Sequence, residues 1–148
     1  MSNTMSVRSA TVGDAASMAA LSDTLGYPVD PSTMAARLER LLGRTEDVVL
    51  VAQLTDGQVI GWIHAAEHHL LEASERCEIL GLVVDAGHRG QGVGRSLVEQ
   101  VEAWARIRGL PQISVRSNIA RSESHPFYER LGFDRAKTQH AYRKRLAK

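Results

Sequence analysis

Two hydrophobic rhythms alternate along the chain. After a short apolar start around Val7, the stretch from Gly13 to Leu25 spaces Ala16, Ala19, Ala20 and Leu21 helically behind Asp14, which predicts a first helix. Pro31 and Ser32 open a second, in which Met34, Leu38, Leu41 and Leu42 share a face and Gly43 marks the stop. Two short helices are thus expected ahead of the sheet. Val48 to Leu54 and Gln58 to Ala66 are rich in β-branched residues and meet at Asp56-Gly57, the dipeptide of a tight type I′ hairpin turn. Beyond a polar, acidic loop, Cys77 to Val84 is an apolar run ending at Asp85, as for a strand buried on both faces. The period then changes. Val93, Leu97, Val98, Val101, Trp104 and Ala105 follow a helical pattern that Gly109 and Pro111 end. Ile113 to Ser117 reads as a strand again, and Phe127 with Leu131 mark a short helix begun near Ser122 to Pro126 and stopped by Gly132. Ala136 to Leu146 is expected to form a final polar strand.

The strand-helix-strand unit from Glu78 to Ser117 implies parallel neighbours joined by a right-handed crossover, whereas the hairpin implies antiparallel ones. The expected fold class is α/β (α+β), a mixed sheet with helices around it. No repeat or linker interrupts the 148 residues, which predicts a single domain over 1–148.

Composition narrows the possibilities. With 43% hydrophobic and 24% charged residues the chain suits an ordinary globular domain. Eighteen Lys and Arg against 17 Asp and Glu leave a net charge of +1, which argues against a nucleic-acid binder built on phosphate neutralisation. The basic end, Arg143, Lys144, Arg145 and Lys148, reads as a solvated terminus. Aliphatic runs such as Val48 to Ala52 are far too short for a bilayer span, and the first twenty residues carry no signal-peptide pattern. The single cysteine, Cys77, excludes an intrachain disulfide and makes a reducing, cytoplasmic setting the expectation.

The chemistry concentrates in Arg89-Gly90-Gln91-Gly92-Val93-Gly94-Arg95-Ser96, between a buried strand and an amphipathic helix. Alternate glycines let backbone N–H groups turn into one concavity, and the following helix adds its own unpaired N–H groups and positive dipole end. Such a turn suits a pyrophosphate, with Arg89 and Arg95 at its rim. Gly87 and Gly92 have P-loop spacing, but Val93-Gly94 replaces the Lys and Ser/Thr that hydrolysis of a nucleotide needs. A dinucleotide fingerprint begun at Gly90 meets Arg95 where its third glycine belongs. A tight turn without a ligand is the plain alternative.

This stretch resembles the signature of the GNAT family of N-acetyltransferases, Arg/Gln-x-x-Gly-x-Gly/Ala, which Arg89 to Gly94 satisfies in full. The likeness extends upstream through Leu82-Val83-Val84-Asp85 and downstream to Asn118 and Phe127-Tyr128-Glu129-Arg130-Leu131-Gly132-Phe133. Ala86 departs from it, where many relatives carry proline.

The resemblance implies acetyl-CoA as co-substrate, with its pyrophosphate on the backbone from Gln91 to Arg95. Arg89, Gly90, Gly92, Val93, Gly94 and Ser96 complete that turn, and Asn118 is a further contact. It also implies a splayed pair of parallel strands, with the pantetheine arm along Leu82, Val83 and Val84 as an added strand. Gly81 suits the bulge that starts such a splay, or equally a close packing contact. A backbone N–H near Val83 or Val84 is placed to stabilise the oxyanion. Glu78 matches a position where relatives carry a glutamate that deprotonates the amine through water, with His64 and His140 in reserve. Tyr128 occupies the tyrosine position, and its phenol would protonate the departing thiolate. A rim carboxylate and a structural tyrosine are the plain readings of these two. Cys77 reads as a small apolar strand residue, while His68, His69, His88 and His125 read as exposed loop residues.

From Glu67 to Glu78 the chain holds Glu67, Glu72, Glu75 and Glu78 against Arg76 alone. The resemblance places this loop at the border of the acceptor cleft, where an acidic rim would favour a small cationic amine such as a polyamine or aminoglycoside; a solvated loop is the plain alternative. A homodimer is implied by the family; nucleic acid, membrane and metal are not. Two rival readings remain: an acyl-CoA sensor without catalysis, and a zinc hydrolase suggested by His64-Ala65-Ala66-Glu67-His68, which a strand context disfavours.

Overall fold

The structure, a computed structural model, describes residues 4–24, 26–116, 124–137 and 139–147. The chain divides into two compact units, Met1–Arg116 and Ser117–Lys148.

The first unit is built on a five-stranded sheet. Its elements are β1 (Met5–Ser9), α1 (Ala15–Thr24), α2 (Pro31–Leu42), β2 (Asp47–Leu54), β3 (Val59–His68), β4 (Arg76–Val84), α3 (Val93–Ile107) and β5 (Ile113–Val115). The strands lie in the order β1-β2-β3-β4-β5, antiparallel throughout except for the parallel pair β4–β5. Helix α3 forms the crossover between those two, so the mixed, helix-flanked sheet expected from the sequence is present.

Register explains both cores. Val51, Trp62 and Val83 face one another across β2, β3 and β4. Val51 and Val83 are buried with Met18, Ala19 and Leu21 of α1 and Met34 and Leu38 of α2, and Trp62 packs against them. Residues on the alternate face, Ile63 and Ala65, are fully buried, as are Leu97, Val98 and Val101 of α3. A Cβ added to Gly61 would stand 3.1 Å from Val93 Cγ1 and 3.3 Å from Leu97 Cδ1, so α3 crosses close to that glycine.

Local chemistry sets the helix starts. The Asp14 carboxylate accepts from the Thr11 N–H at 2.8 Å and takes a two-pronged bond from Arg8 at 2.9 Å per arm. Asp30 caps α2 by accepting from the Thr33 N–H at 2.7 Å, with Pro31 at the first helical position.

Several expectations are corrected. A strand, β1, precedes the two helices, and its Val7 pairs with Ala52 of β2. The first helix opens with a 3₁₀ turn, Val12–Asp14. The β2–β3 hairpin is not a type I′ turn: Gly57 alone takes positive φ (97°), while Asp56 instead caps the Gln58 N–H at 2.9 Å. Leu54 N–H bonds Gln58 O at 2.8 Å around a longer loop, and the register shifts at Ala52/Gln53. The strand begun at Ile113 ends at Val115, with Ser117 outside the described residues.

The second unit holds α4 (Ser124–Arg130), closed by Gly132 at φ 93° and by the Phe133 N–H on Tyr128 O at 3.1 Å. The final strand expected over Ala136 to Leu146 is not formed among the described residues. Tyr142 and Leu146 are 93% and 90% exposed, so among its described residues the segment has no buried face to stabilise a strand. Among the described residues no helix is long and apolar enough to cross a membrane.

Candidate active site

The glycine-rich turn begins where β4 stops. The Asp85 N–H bonds Ile60 O at 2.8 Å, anchoring the strand end to β3, and the Asp85 carboxylate meets His88 Nδ1 at 2.7 Å across a single 3₁₀ turn, Ala86–His88. Gly90 and Gly92 then take φ of 80° and 84°, the left-handed region in which a side chain is strained even though nothing would touch an added Cβ there. Gly92 is the N-cap of α3, and the first intrahelical bond runs from the Ser96 N–H to Gly92 O at 3.0 Å. The N–H groups of Val93, Gly94 and Arg95 are thereby left without intrahelical partners at the positive end of the helix. Arg89 and Arg95 are exposed, and neither forms an ion pair among the described residues. Gln91 is exposed and Ser96 half-buried at the same turn. An anion of pyrophosphate size fits this chemistry.

Past Ile79, on the way to that turn, β4 has no further pair with β5 among the described residues. Pairing with β5 covers Cys77, Glu78 and Ile79, whereas β4 itself continues to Val84. The β3–β4 register steps from His64 opposite Gly81 to Ala65 opposite Ile79, so Leu80 is a bulge directly after the last pair with β5. Both readings of Gly81 hold at once: it flanks the bulge, and a Cβ there would stand 2.9 Å from Trp62 Cζ3. Leu82 and Val84 are half-buried and Val83 is buried.

Glu78 lies on the paired part of β4, opposite Ala66 and Ser114, and only 5% of it is exposed. Ser114 Oγ donates to Glu78 Oε1 at 3.2 Å. Arg76 Nε and Arg116 Nε stand 3.9 and 4.0 Å from its two oxygens. Sequence reasoning saw Arg76 only as a lone cation in an acidic stretch and missed Ser114 and Arg116. Their relevance follows from alternation, since 76 and 78, and 114 and 116, share a face once the two strands are paired.

The remaining candidates are distributed as follows. His64 Nε2 meets Asp47 Oδ1 at 2.9 Å, and Arg44 Nε donates to Asp47 Oδ2 at 2.6 Å. Burial pushes the Asp47 carboxyl upward, but those two bonds outweigh it and hold the group below the usual range. His68 and His88, read as exposed loop residues, are half-buried, and His68 ends β3. His64 and His68 stand on a strand, and no group of three or more potential metal ligands occurs among the described residues. Burial pushes the Cys77 thiol up to about 11, assisted by Glu67 and Glu78, and the residue is fully buried. Glu67 is bonded by Arg108 at 2.8 Å and by His69, which hold its carboxyl below the usual range. Glu72 and Glu75 are exposed. Asn118 lies outside the described residues. A cleft of about 600 Å³ is lined by Ala16, Ala20, Asp23, Asp30 and Arg37, among others, and by none of the catalytic or cofactor-binding candidates read from the sequence.

In the second unit Tyr128 is half-buried, with edge-to-face contacts to Phe127 and Phe133 at centroid distances of 5.0 and 5.7 Å. His140 is exposed.

Comparison with known proteins agrees with this architecture. The chain is 29% identical over 132 residues to an aminoglycoside N(6')-acetyltransferase type 1 of Stenotrophomonas maltophilia, covering 86% of this chain and 85% of that one. It is 37% identical over 81 residues to an aminoalkylphosphonate N-acetyltransferase of Salmonella typhimurium, covering 54% and 53% respectively. In fold it is similar to the aminoglycoside N-acetyltransferase AAC(6')-Iy in complex with CoA, with a TM-score of 0.87, 21% identity and coverage of 99% of this chain and 98% of that one. The model of the acetyltransferase (GNAT) family matches residues 16–133, well over half of the chain, and the chain belongs to that family.

Proposed function

We propose that the chain, acting as one domain, transfers the acetyl group of acetyl-CoA to the primary amine of a small molecule by direct attack in a ternary complex. The observation that carries this reading is the placement of two features on one strand: the N–H cradle that follows the end of β4 and the buried carboxylate of Glu78 beyond the bulge at Leu80. The CoA-bound fold neighbour supports the choice of co-substrate.

The pyrophosphate rests on the backbone from Gln91 to Arg95, with Gly90, Gly92 and Gly94 allowing close approach, Ser96 adding a hydroxyl, and Arg89 and Arg95 adding charge. The amide-bearing arm pairs with the edge of β4 along Leu82, Val83 and Val84, and Asn118 adds a contact. Glu78 accepts a proton from the incoming ammonium through water. The freed amine nitrogen bonds to the thioester carbon, and an N–H near Val83 or Val84 holds the oxyanion. The carbon–sulfur bond then breaks, Tyr128 gives its phenolic proton to the thiolate, and the surplus proton on the newly bonded nitrogen passes through water to the phenolate, leaving a neutral amide. A covalent relay is disfavoured because the one thiol, Cys77, is buried and its pKa is raised to about 11.

The acceptor expected from the acidic stretch is a small cation, and the aminoglycoside acetyltransferases among the relatives support it. Glu72 and Glu75 remain open for that purpose. Glu67 is taken up by Arg108 and His69, however, and Glu78 stands between two arginines, so the case for a polycation is weaker than the count of carboxylates implied. An acceptor that is an amine and an acid together, as the name of the aminoalkylphosphonate enzyme describes, suits the site equally well.

The test is an acceptor screen with acetyl-CoA that follows free thiol release and acetylation of the amine by mass. Transfer to at least one amine supports the reading. Tight acetyl-CoA binding without transfer to any primary amine overturns it in favour of a sensor.

A further inference from the structure

We infer that the site around Glu78 takes an amine that also carries an acidic group, a carboxylate or phosphonate a few carbon atoms away, and that Arg76 selects it. The inference rests on the acetyl-transfer reading of that site. Arg76 and Glu78 are two apart on β4 and share a face, and Ser114 and Arg116 continue that face on β5. Along the strand direction Arg76 therefore lies on the side of β4's start and Arg116 on the side where the strands part, with the carboxylate between them.

Two guanidiniums around one carboxylate leave the cluster one anion short. The geometry shows the same deficit. Distances of 3.9 and 4.0 Å are too long for hydrogen bonds, and among the described residues Glu78 has its one short contact with Ser114. Arg76 Nε is buried and has no hydrogen-bond partner among the described residues, while 23% of the side chain is exposed. A buried donor atom without an acceptor is costly, and Arg8 and Arg44, each beside a buried carboxylate, avoid that state. Arg8 bonds Asp14 at 2.9 Å, and Arg44 bonds Asp47 at 2.6 Å. Arg76 Nε is held close to a carboxylate yet left unbonded among the described residues, as a donor awaiting an anionic ligand would be.

The charge balance also suits the chemistry. Nearby cations disfavour the ammonium form of an arriving amine, so the arginines assist formation of the neutral nucleophile. They repel a polycation for the same reason. An acid group on the acceptor offsets that repulsion, bonds Arg76 on the side away from the splay, and leaves the amine beside Glu78.

The experiment compares β-alanine, 2-aminoethylphosphonate, propylamine and 1,3-diaminopropane as acceptors at saturating acetyl-CoA. Both acid-bearing amines are expected to exceed propylamine in kcat/KM by about tenfold to a hundredfold, the range of a charge-assisted hydrogen bond. In Arg76→Met that ratio should collapse toward one, chiefly through a higher KM for the acids, and Arg76→Lys should recover part of it. A melting-temperature rise with acetyl-CoA shows that each variant is folded, and if Arg76→Met fails it, the ratio in Arg76→Lys must still fall. Transfer with the diamine preferred, or with acids no better than propylamine, overturns the inference and leaves acetyl transfer standing. A ratio unchanged in both variants overturns it equally. No transfer to any of the four overturns it, and if a wider screen also fails the acetyl-transfer reading falls with it.

Discussion

Ser114 Oγ donates a 3.2 Å hydrogen bond to the carboxylate of Glu78 across the parallel pair β4–β5. The bond ties the orientation of the proposed base to the strand pairing that ends one residue later, at Ile79 and Val115. Glu78→Gln should therefore slow transfer most at low pH, where the acceptor is an ammonium, and progressively less as the amine deprotonates unaided. Ser114→Ala keeps the base and loosens it, so a loss of only several-fold with the wild-type pH profile is expected. Turnover against pH at near-saturating acceptor checks both. Parallel losses at every pH in Glu78→Gln would assign the carboxylate a structural role.

Tyr128→Phe removes the phenolic donor and keeps the ring contacts with Phe127 and Phe133. The rate should fall by about 10²-fold or more while acetyl-CoA affinity changes little. Steady-state kinetics alongside a binding titration separates the two, and an unchanged kcat would remove Tyr128 from the chemistry.

At Gly81 the constraint is steric. An alanine Cβ would stand 2.9 and 3.0 Å from Cζ3 and Cη2 of Trp62, a rigid ring packed on the core. Gly81→Ala should destabilise the fold by about 1–3 kcal/mol and lower the melting temperature by several degrees. Thermal unfolding measures it, and an unchanged melting temperature would mean that Trp62 is free to move.

Asp14 resists protonation. Its carboxyl lies below the usual range chiefly because of the Arg8 bond, with burial opposing and the Thr11 N–H assisting. A pKa lower in the folded than in the unfolded state adds stability that is complete above the unfolded value, about 3.9, and is lost as pH falls through the folded one. Asp14→Asn should cost about 1–2 kcal/mol near pH 7, since half-exposed Arg8 is partly screened. The gap between variant and wild type should close below roughly pH 4. Denaturant unfolding across pH reads this directly.

The sequence carried the periodic elements well: α2 begins at Pro31, as Pro31-Ser32 indicates, α3 begins at Val93, where the helical spacing starts, and β4 ends at Val84. The glycine-rich turn was equally legible, because φ of 80° and 84° at Gly90 and Gly92 requires residues that can be read by name. What escaped depends on pairing. Val7 is too short a signal to declare β1 until Ala52 stands opposite it. Arg116 and Ser114 gain meaning only beside Glu78, thirty-six or more positions away in the chain. The type I′ reading of Asp56-Gly57 failed because the same dipeptide also serves a longer loop, in which glycine alone takes positive φ.

The central claim, an acetyl-CoA cradle that serves transfer to an amine, is tested most directly by titrating acetyl-CoA into the wild-type protein and Gly92→Val while recording melting temperature and, with an amine present, thiol release. Gly92 has open space around it but a φ of 84°, so valine there distorts the turn without crowding the core. The expected result is a concentration-dependent rise in melting temperature for the wild type, with acetylated amine formed, and neither effect in a Gly92→Val protein that still unfolds cooperatively. Equal acetyl-CoA binding by the two proteins, or no binding by either, would contradict the account.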